Sequence, residues 1–105
     1  MDEKEFNRQA AKTMARIEEL LEASAADLDF ELAAGGVLEI ELDNGSKVIV
    51  NCHAVAQEIW VAAKSGGFHF RWDGSQWLDT RDGSELLAKL SDVLSQQSGE
   101  SIRLA

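Results

Sequence analysis

Residues 38–51 read Leu38-Glu39-Ile40-Glu41-Leu42-Asp43-Asn44-Gly45-Ser46-Lys47-Val48-Ile49-Val50-Asn51. From Leu38 to Asp43 apolar and charged side chains alternate, the period of a strand with one buried face. Asn44-Gly45 is a strong hairpin signal, and Lys47–Asn51 returns as a second strand. Setting Val48 and Val50 on the face of Ile40 and Leu42 requires a three-residue loop rather than a two-residue one. That register is favoured because it makes one continuous apolar face, although Ile49 leaves the other face apolar too.

Working outward, Leu28, Phe30 and Leu32 alternate with Asp27, Asp29 and Glu31, which reads as another half-buried strand, and Ala33-Ala34-Gly35-Gly36 turns the chain. A fourth strand is expected over Glu58–Ala62. Lys64-Ser65-Gly66-Gly67 turns into a fifth, Phe68–Trp72, and Asp73-Gly74-Ser75 into a short sixth, Gln76–Leu78. Before them, Phe6, Ala10, Met14, Ile17 and Leu21 recur at three- and four-residue spacing and predict an amphipathic helix over about residues 3–23. After them, Leu86, Leu87, Leu90, Val93 and Leu94 predict a second helix. It begins near Asp82–Ser84, with Asp82 and Glu85 at capping-box spacing and Ser84 as the competing N-cap, and it stops at Gly99. The tail Ile102–Leu104 offers an edge contact. Hairpin-length connections make the sheet mainly antiparallel. The expected fold is an α+β sandwich, two helices on one face of about six strands, with residues 1–105 forming one domain.

The chain carries 19 acidic and 10 basic residues, a formal net charge of −9. That excess argues against a nucleic-acid partner, whose phosphates it would repel. No run approaches the roughly 20 apolar residues of a membrane span. The opening residues have neither the apolar core of a secretory signal nor the Arg-rich look of a transit peptide, so a cytoplasmic location is expected. Cys52 is the one cysteine, which excludes an internal disulfide framework and a CxxC zinc site.

The charge is concentrated. Residues 1–43 hold a net −8, and between Glu18 and Ser46 stand nine carboxylates with no Lys or Arg. Asp2, Glu3 and Glu5 suit the positive end of a helix dipole. Glu18, Glu19 and Glu22 sit against its negative end, and Glu18–Glu22 is a like-charged i,i+4 pair; each conflict costs about a few tenths of a kcal/mol. Asp27, Asp29 and Glu31 point the same way about 7 Å apart, too wide for neighbours to chelate one ion unless partners from another element converge. Hard cations such as Mg²⁺, Ca²⁺ or Fe²⁺ accept such oxygens, weakly and unselectively on an open surface. A calcium EF-hand loop is excluded, since Leu32 and Leu38 occupy its Gly and Glu positions. A solubilising face and a docking surface for a basic protein are the other two uses of such a block.

The remaining candidates are fewer. Cys52 and His53 are adjacent on a strand and point to opposite faces, so they share an ion only if the backbone turns. His69 reads as an exposed strand position. Trp60 falls on the solvent face if Ile59 and Val61 are core, and exposed Trp is enriched in binding hot spots. Hydrolase, metalloprotease and nucleotide-binding signatures are missing.

Asn44–Asn51, Glu58-Ile59-Trp60-Val61-Ala62, Gly66-Gly67-Phe68-His69-Phe70, Gly74-Ser75-Gln76-Trp77 and Arg81-Asp82-Gly83 together resemble bacterial frataxins, the CyaY family, over essentially the whole chain. The resemblance implies a frataxin-like α-β sandwich and a protein that binds iron, Fe²⁺ or Fe³⁺, weakly at surface carboxylates. It also implies a role in iron–sulfur cluster assembly as iron donor, as regulator of the cysteine desulfurase, or both. Carried over by position, the acidic ridge maps onto Glu18, Glu19, Glu22, Asp27, Asp29 and Glu31. The surface for the assembly complex maps onto Asn51, Ile59 and Trp60, with Glu18, Glu19 and Glu22 meeting the desulfurase. A cysteine desulfurase and an iron–sulfur scaffold protein are the implied partners, and a monomer that iron can assemble is the implied state. His53 and Val55 stand where the family usually has Gln and Pro, and the chain has no proline. A mobile loop between Asn51 and Trp60 is therefore expected, with His53 as a substitute hydrogen-bonding or metal-binding group.

No catalytic residue is expected. The rival reading is a ferroxidase that oxidises Fe²⁺ with O₂, which would want a pre-organised Glu/His set; no Glu-x-x-His occurs. Capture of haem or another metal through Cys52, His53 or His69 is a third.

Overall fold

A computed structural model describes residues 1–24 and 28–104. The elements run α1 (Glu3–Ala23), β1 (Leu28–Ala33), β2 (Val37–Leu42), β3 (Lys47–His53), β4 (Glu58–Ala63), β5 (Gly66–Trp72), β6 (Trp77–Asp79) and α2 (Leu86–Ser98). The strands form one six-stranded antiparallel sheet in chain order, so β1 and β6 are its edges. This is the expected α+β sandwich.

The decisive hairpin adopts the three-residue loop. Ile40 lies opposite Val48 and Leu38 opposite Val50, while Leu42 N–H donates to the Ser46 carbonyl. Gly45 has φ +83°, a left-handed conformation that a side chain would strain. Asn44 Oδ1 accepts from Ser46 N–H, and its Nδ2 reaches the Gln97 carbonyl on α2 at 2.8 Å. Gln97 in turn donates to the Lys47 carbonyl and accepts from Lys64 N–H, pinning two hairpin turns to one helix end.

One face of the sheet is the core. Phe6, Ala10, Met14, Ile17 and Leu21 of α1 and Leu86, Leu90, Val93 and Leu94 of α2 bury against Leu38, Ile40, Val48, Val50, Ile59, Val61 and Phe70. Trp77 packs edge-on to Phe6 at 5.8 Å, and its indole N–H donates to Thr13 Oγ1 at 2.8 Å, so its polar end is satisfied.

Four expectations need correction. The N-cap of α2 is Glu85, whose carboxylate accepts from Leu87 and Ala88 N–H. Asp82 is otherwise engaged, holding Ser84 N–H and Lys89. The tail does not join the sheet: Ile102 and Leu104 are buried, fixed to α2 through the Ser95 and Ser91 hydroxyls. Leu32 shares the inner register yet is 47% exposed. Finally, half of the stretch between Asn51 and Trp60 is paired strand, Cys52 opposite Ile59 and His53 opposite Glu58, so the loop itself narrows to residues 54–57.

Candidate functional site

The alternation that buries one face of the sheet sends the other set of side chains outward. On β1 and β2 these are Asp29 and Glu31, which lie directly opposite Glu41 and Glu39. Like charges facing across a strand pair are destabilising. Lys47 on β3 lies opposite Glu41 and bonds the Glu39 carboxylate. Its ammonium is held above the usual lysine range by the bond to Glu39 and then by the fields of Glu39, Glu41 and Glu31. One cation thus pairs with Glu39 and lies in the fields of Glu41 and Glu31 as well. Glu39 and Glu41 extend the ridge beyond the residues the resemblance named. Their signal in the sequence was the alternation on β2, once the β1–β2 register is known.

On α1, Glu18 is half-buried and Glu19 and Glu22 are exposed. Glu19 pairs with Arg16 at 3.3 Å, both side chains more than half exposed, and such a pair contributes little. Among the described residues neither Glu18 nor Glu22 has a basic partner. Asp27 lies outside the described residues. The ridge therefore has two described parts, the C-terminal turns of α1 and the outward face of β1 and β2. Among the described residues, no three His, Cys, Asp or Glu groups converge as a closed metal site. Such carboxylates can hold a hard cation only in an open, solvent-shared way, with low selectivity.

The centre of the outward face is aromatic. His69 lies opposite Trp60 on β5, and His53 is one diagonal step away on β3. The indole is stacked between the two imidazoles, at 4.0 Å and 14° from His53 and 4.5 Å and 10° from His69. Glu58 anchors the group. Its Oε1 accepts the Trp60 indole N–H and lies 3.4 Å from His69 Nδ1, and its Oε2 accepts from Arg71 Nε. Burial alone would raise the Glu58 carboxyl. The hydrogen bonds from Trp60 and Arg71, with the Arg71 charge, outweigh it and hold the group below the usual carboxylate range. His53 Nδ1 also accepts from Ala56 N–H at 3.4 Å, so it does act as a hydrogen-bonding group at the turn.

Asn51, opposite Trp60, is half-buried on this same face. Ile59 is not on it. Its side chain is fully buried in the core, because adjacent strand residues point to opposite faces. Cys52 also points inward, beside Gly36, where an added Cβ would meet its own Cβ at 3.3 Å. Burial pushes the Cys52 thiol above its usual value, which suits an unreactive packing residue. Cys52 and His53 thus lie on opposite sides of the sheet and do not share an ion.

A family model described as a frataxin-like domain matches residues 1–100. The iron–sulfur cluster assembly protein CyaY of Dechloromonas aromatica is 64% identical over 104 residues, covering 99% of each chain. The CyaY protein of Janthinobacterium sp. (strain Marseille) is 57% identical over 94% of this chain and 92% of its own. Among solved structures, frataxin from Psychromonas ingrahamii superposes with a TM-score of 0.91 at 31% identity, covering 100% of this chain and 99% of that one. Trimeric yeast frataxin, complexed with ferrous, shares the fold at a TM-score of 0.67 and 24% identity, covering 95% of this chain and 88% of that one. With this sandwich, this acidic edge and these relatives, the chain belongs to the frataxin-like family, among its CyaY iron–sulfur cluster assembly members.

Proposed function

We propose that this protein is a non-catalytic, iron-binding component of iron–sulfur cluster assembly in the bacterial cytoplasm, docking a basic patch of a cysteine desulfurase through its acidic ridge. One observation carries the reading: Glu18, Glu22, Asp29 and Glu31 have no ion-pair partners among the described residues, and Asp29 and Glu31 face further carboxylates across the sheet. Charge placed against both the helix dipole and its strand neighbours is retained against local stability, as at sites kept for binding. The open arrangement suits Fe²⁺ or Fe³⁺ held weakly as cargo, supplied to the cluster or sensed while the desulfurase is regulated. Trp60 and Asn51 on the outward face would meet the scaffold protein. The chain acts as a monomer, and iron at the ridge can draw copies together by neutralising it.

Iron titration followed by NMR tests the metal half. Wild type should lose or shift signals at the ridge, and Glu18, Glu19 and Glu22 changed to Lys should remove the α1 part of the response. An unchanged titration would defeat iron binding at those residues and leave desulfurase docking to be judged by its own assay.

A further inference from the structure

Strand β1 is an edge, paired only with β2 among the described residues. An edge strand presents unpaired backbone donors and acceptors, a template for another strand. At the Leu32 end of β1 opens a groove of about 380 Å³, walled by Ala11, Ala15 and Glu18 of α1 and, on the sheet side, by Leu32, the Gly35-Gly36 turn and Cys52. Its origin is visible in the sequence. The alanines on that flank of α1 are too short to cover Leu32, which sits opposite buried Leu38 and yet stays 47% exposed. A groove next to a free edge offers backbone pairing and an apolar socket together.

The surrounding charge selects the occupant. Asp29 and Glu31 project from β1 on its outward side, Glu18 stands on the groove rim, and Glu22 follows one turn later on the same flank of α1. A second copy of this chain is disfavoured, because pairing β1 with β1 would bring acidic side chains together. An incoming strand with Lys or Arg at alternate positions would neutralise them, while its intervening apolar side chains enter the groove.

We infer that the β1 edge and the α1–β1 groove receive an extended basic segment of a partner protein, added as a seventh strand, with apolar residues beside Leu32 and basic residues beside Asp29 and Glu31. This rests on the reading of the acidic ridge as a protein-docking face and specifies how the partner is held there. The Asp29 and Glu31 charges then do two things, repelling self-association at the edge and admitting a basic strand.

The test uses isotope-labelled full-length protein and synthetic peptides. The probe is a nine-residue peptide alternating Lys and Val. Two versions carry N-methyl groups on alternate amides in opposite phases, and an oligolysine of at least equal charge is the control. The probe should protect the β1 amides from hydrogen exchange and shift the Leu32 methyls. One N-methyl phase should weaken binding at least ~10-fold and the other much less, since only one set of amides faces an edge. Ala15→Leu, which fills the groove from an exposed position, should weaken the probe without affecting oligolysine. If both N-methyl phases bind like the parent, or β1 gains no protection, strand addition is overturned. If oligolysine then still binds at Glu18 and Glu22, the docking ridge survives that failure. If no peptide binds, strand addition falls, and the ridge is decided by desulfurase affinity.

Discussion

Trp60 donates its indole N–H to the carboxylate of Glu58, two residues earlier on the same strand face, at 2.8 Å. That bond fixes the indole upright, and the imidazoles of His53 and His69 close over its two faces. A buried acid thus positions the largest side chain on the outward face.

Glu58→Gln should therefore destabilise the fold by about 1–3 kcal/mol at pH 7, because charge-assisted bonds to Arg71 and Trp60 are weakened. The folded carboxyl titrates below its ordinary value. Its contribution is fully present above the unfolded value of about 4.3 and is lost as pH falls through the lower folded value. Thermal or urea unfolding from pH 7 downward should show the two proteins converging below about pH 4. A gap that is constant down to pH 3 would contradict the role given to Glu58.

Trp60 and Ile59 should separate cleanly although adjacent. Ile59→Ala opens a hole in the core and should cost about 2–5 kcal/mol of unfolding free energy. Trp60→Ala should leave the fold intact and weaken scaffold-protein binding by roughly 30-fold or more, the scale of a hot-spot residue. Denaturant unfolding and calorimetric titration with the scaffold measure the two effects.

At the end of α1, binding and stability are expected to oppose each other. Changing Glu18 and Glu22 to Lys places cations where the dipole is negative and exchanges one like-charged pair for another, so the dipole gain remains and Tm should rise by about 2–4 °C. Scanning calorimetry decides it. A fall in Tm would mean that the native carboxylates stabilise the helix after all.

The N-cap of α2 gives a structural check. Glu85→Ala should destabilise by about 1 kcal/mol, whereas Ser84→Ala should stay within about 0.5 kcal/mol. Equilibrium unfolding of the two variants distinguishes them.

Much of the fold was readable because periodicity reports burial directly. The stripe from Phe6 to Leu21 located α1, and the continuous apolar face made by Val48 and Val50 beside Ile40 selects the hairpin loop that forms. The cap of α2 was not readable, because Asp82, Ser84 and Glu85 are all plausible caps until Lys89 is seen to engage Asp82. The tail misled for a similar reason: two apolar residues at alternate positions fit an edge strand, and only the Ser91 and Ser95 hydroxyls reveal that they belong to α2. The acidic ridge was legible as sign and placement along the chain. Its facing of Asp29 against Glu41 needed the register. The stack of His53, Trp60 and His69 needed two registers at once, and no local pattern encodes it. The resemblance places Ile59 on a binding surface, whereas strand alternation puts it in the core.

The most direct test of the docking ridge is the affinity of a purified cysteine desulfurase for wild type and for the Glu18, Glu19 and Glu22 to Lys variant, measured at about 50 and 300 mM salt. Wild type should bind at least ~10-fold more tightly at low salt and lose affinity steeply as salt rises, and the variant should bind weakly with a shallower salt dependence. Equal affinities with equal salt slopes would contradict docking through the α1 part of the ridge.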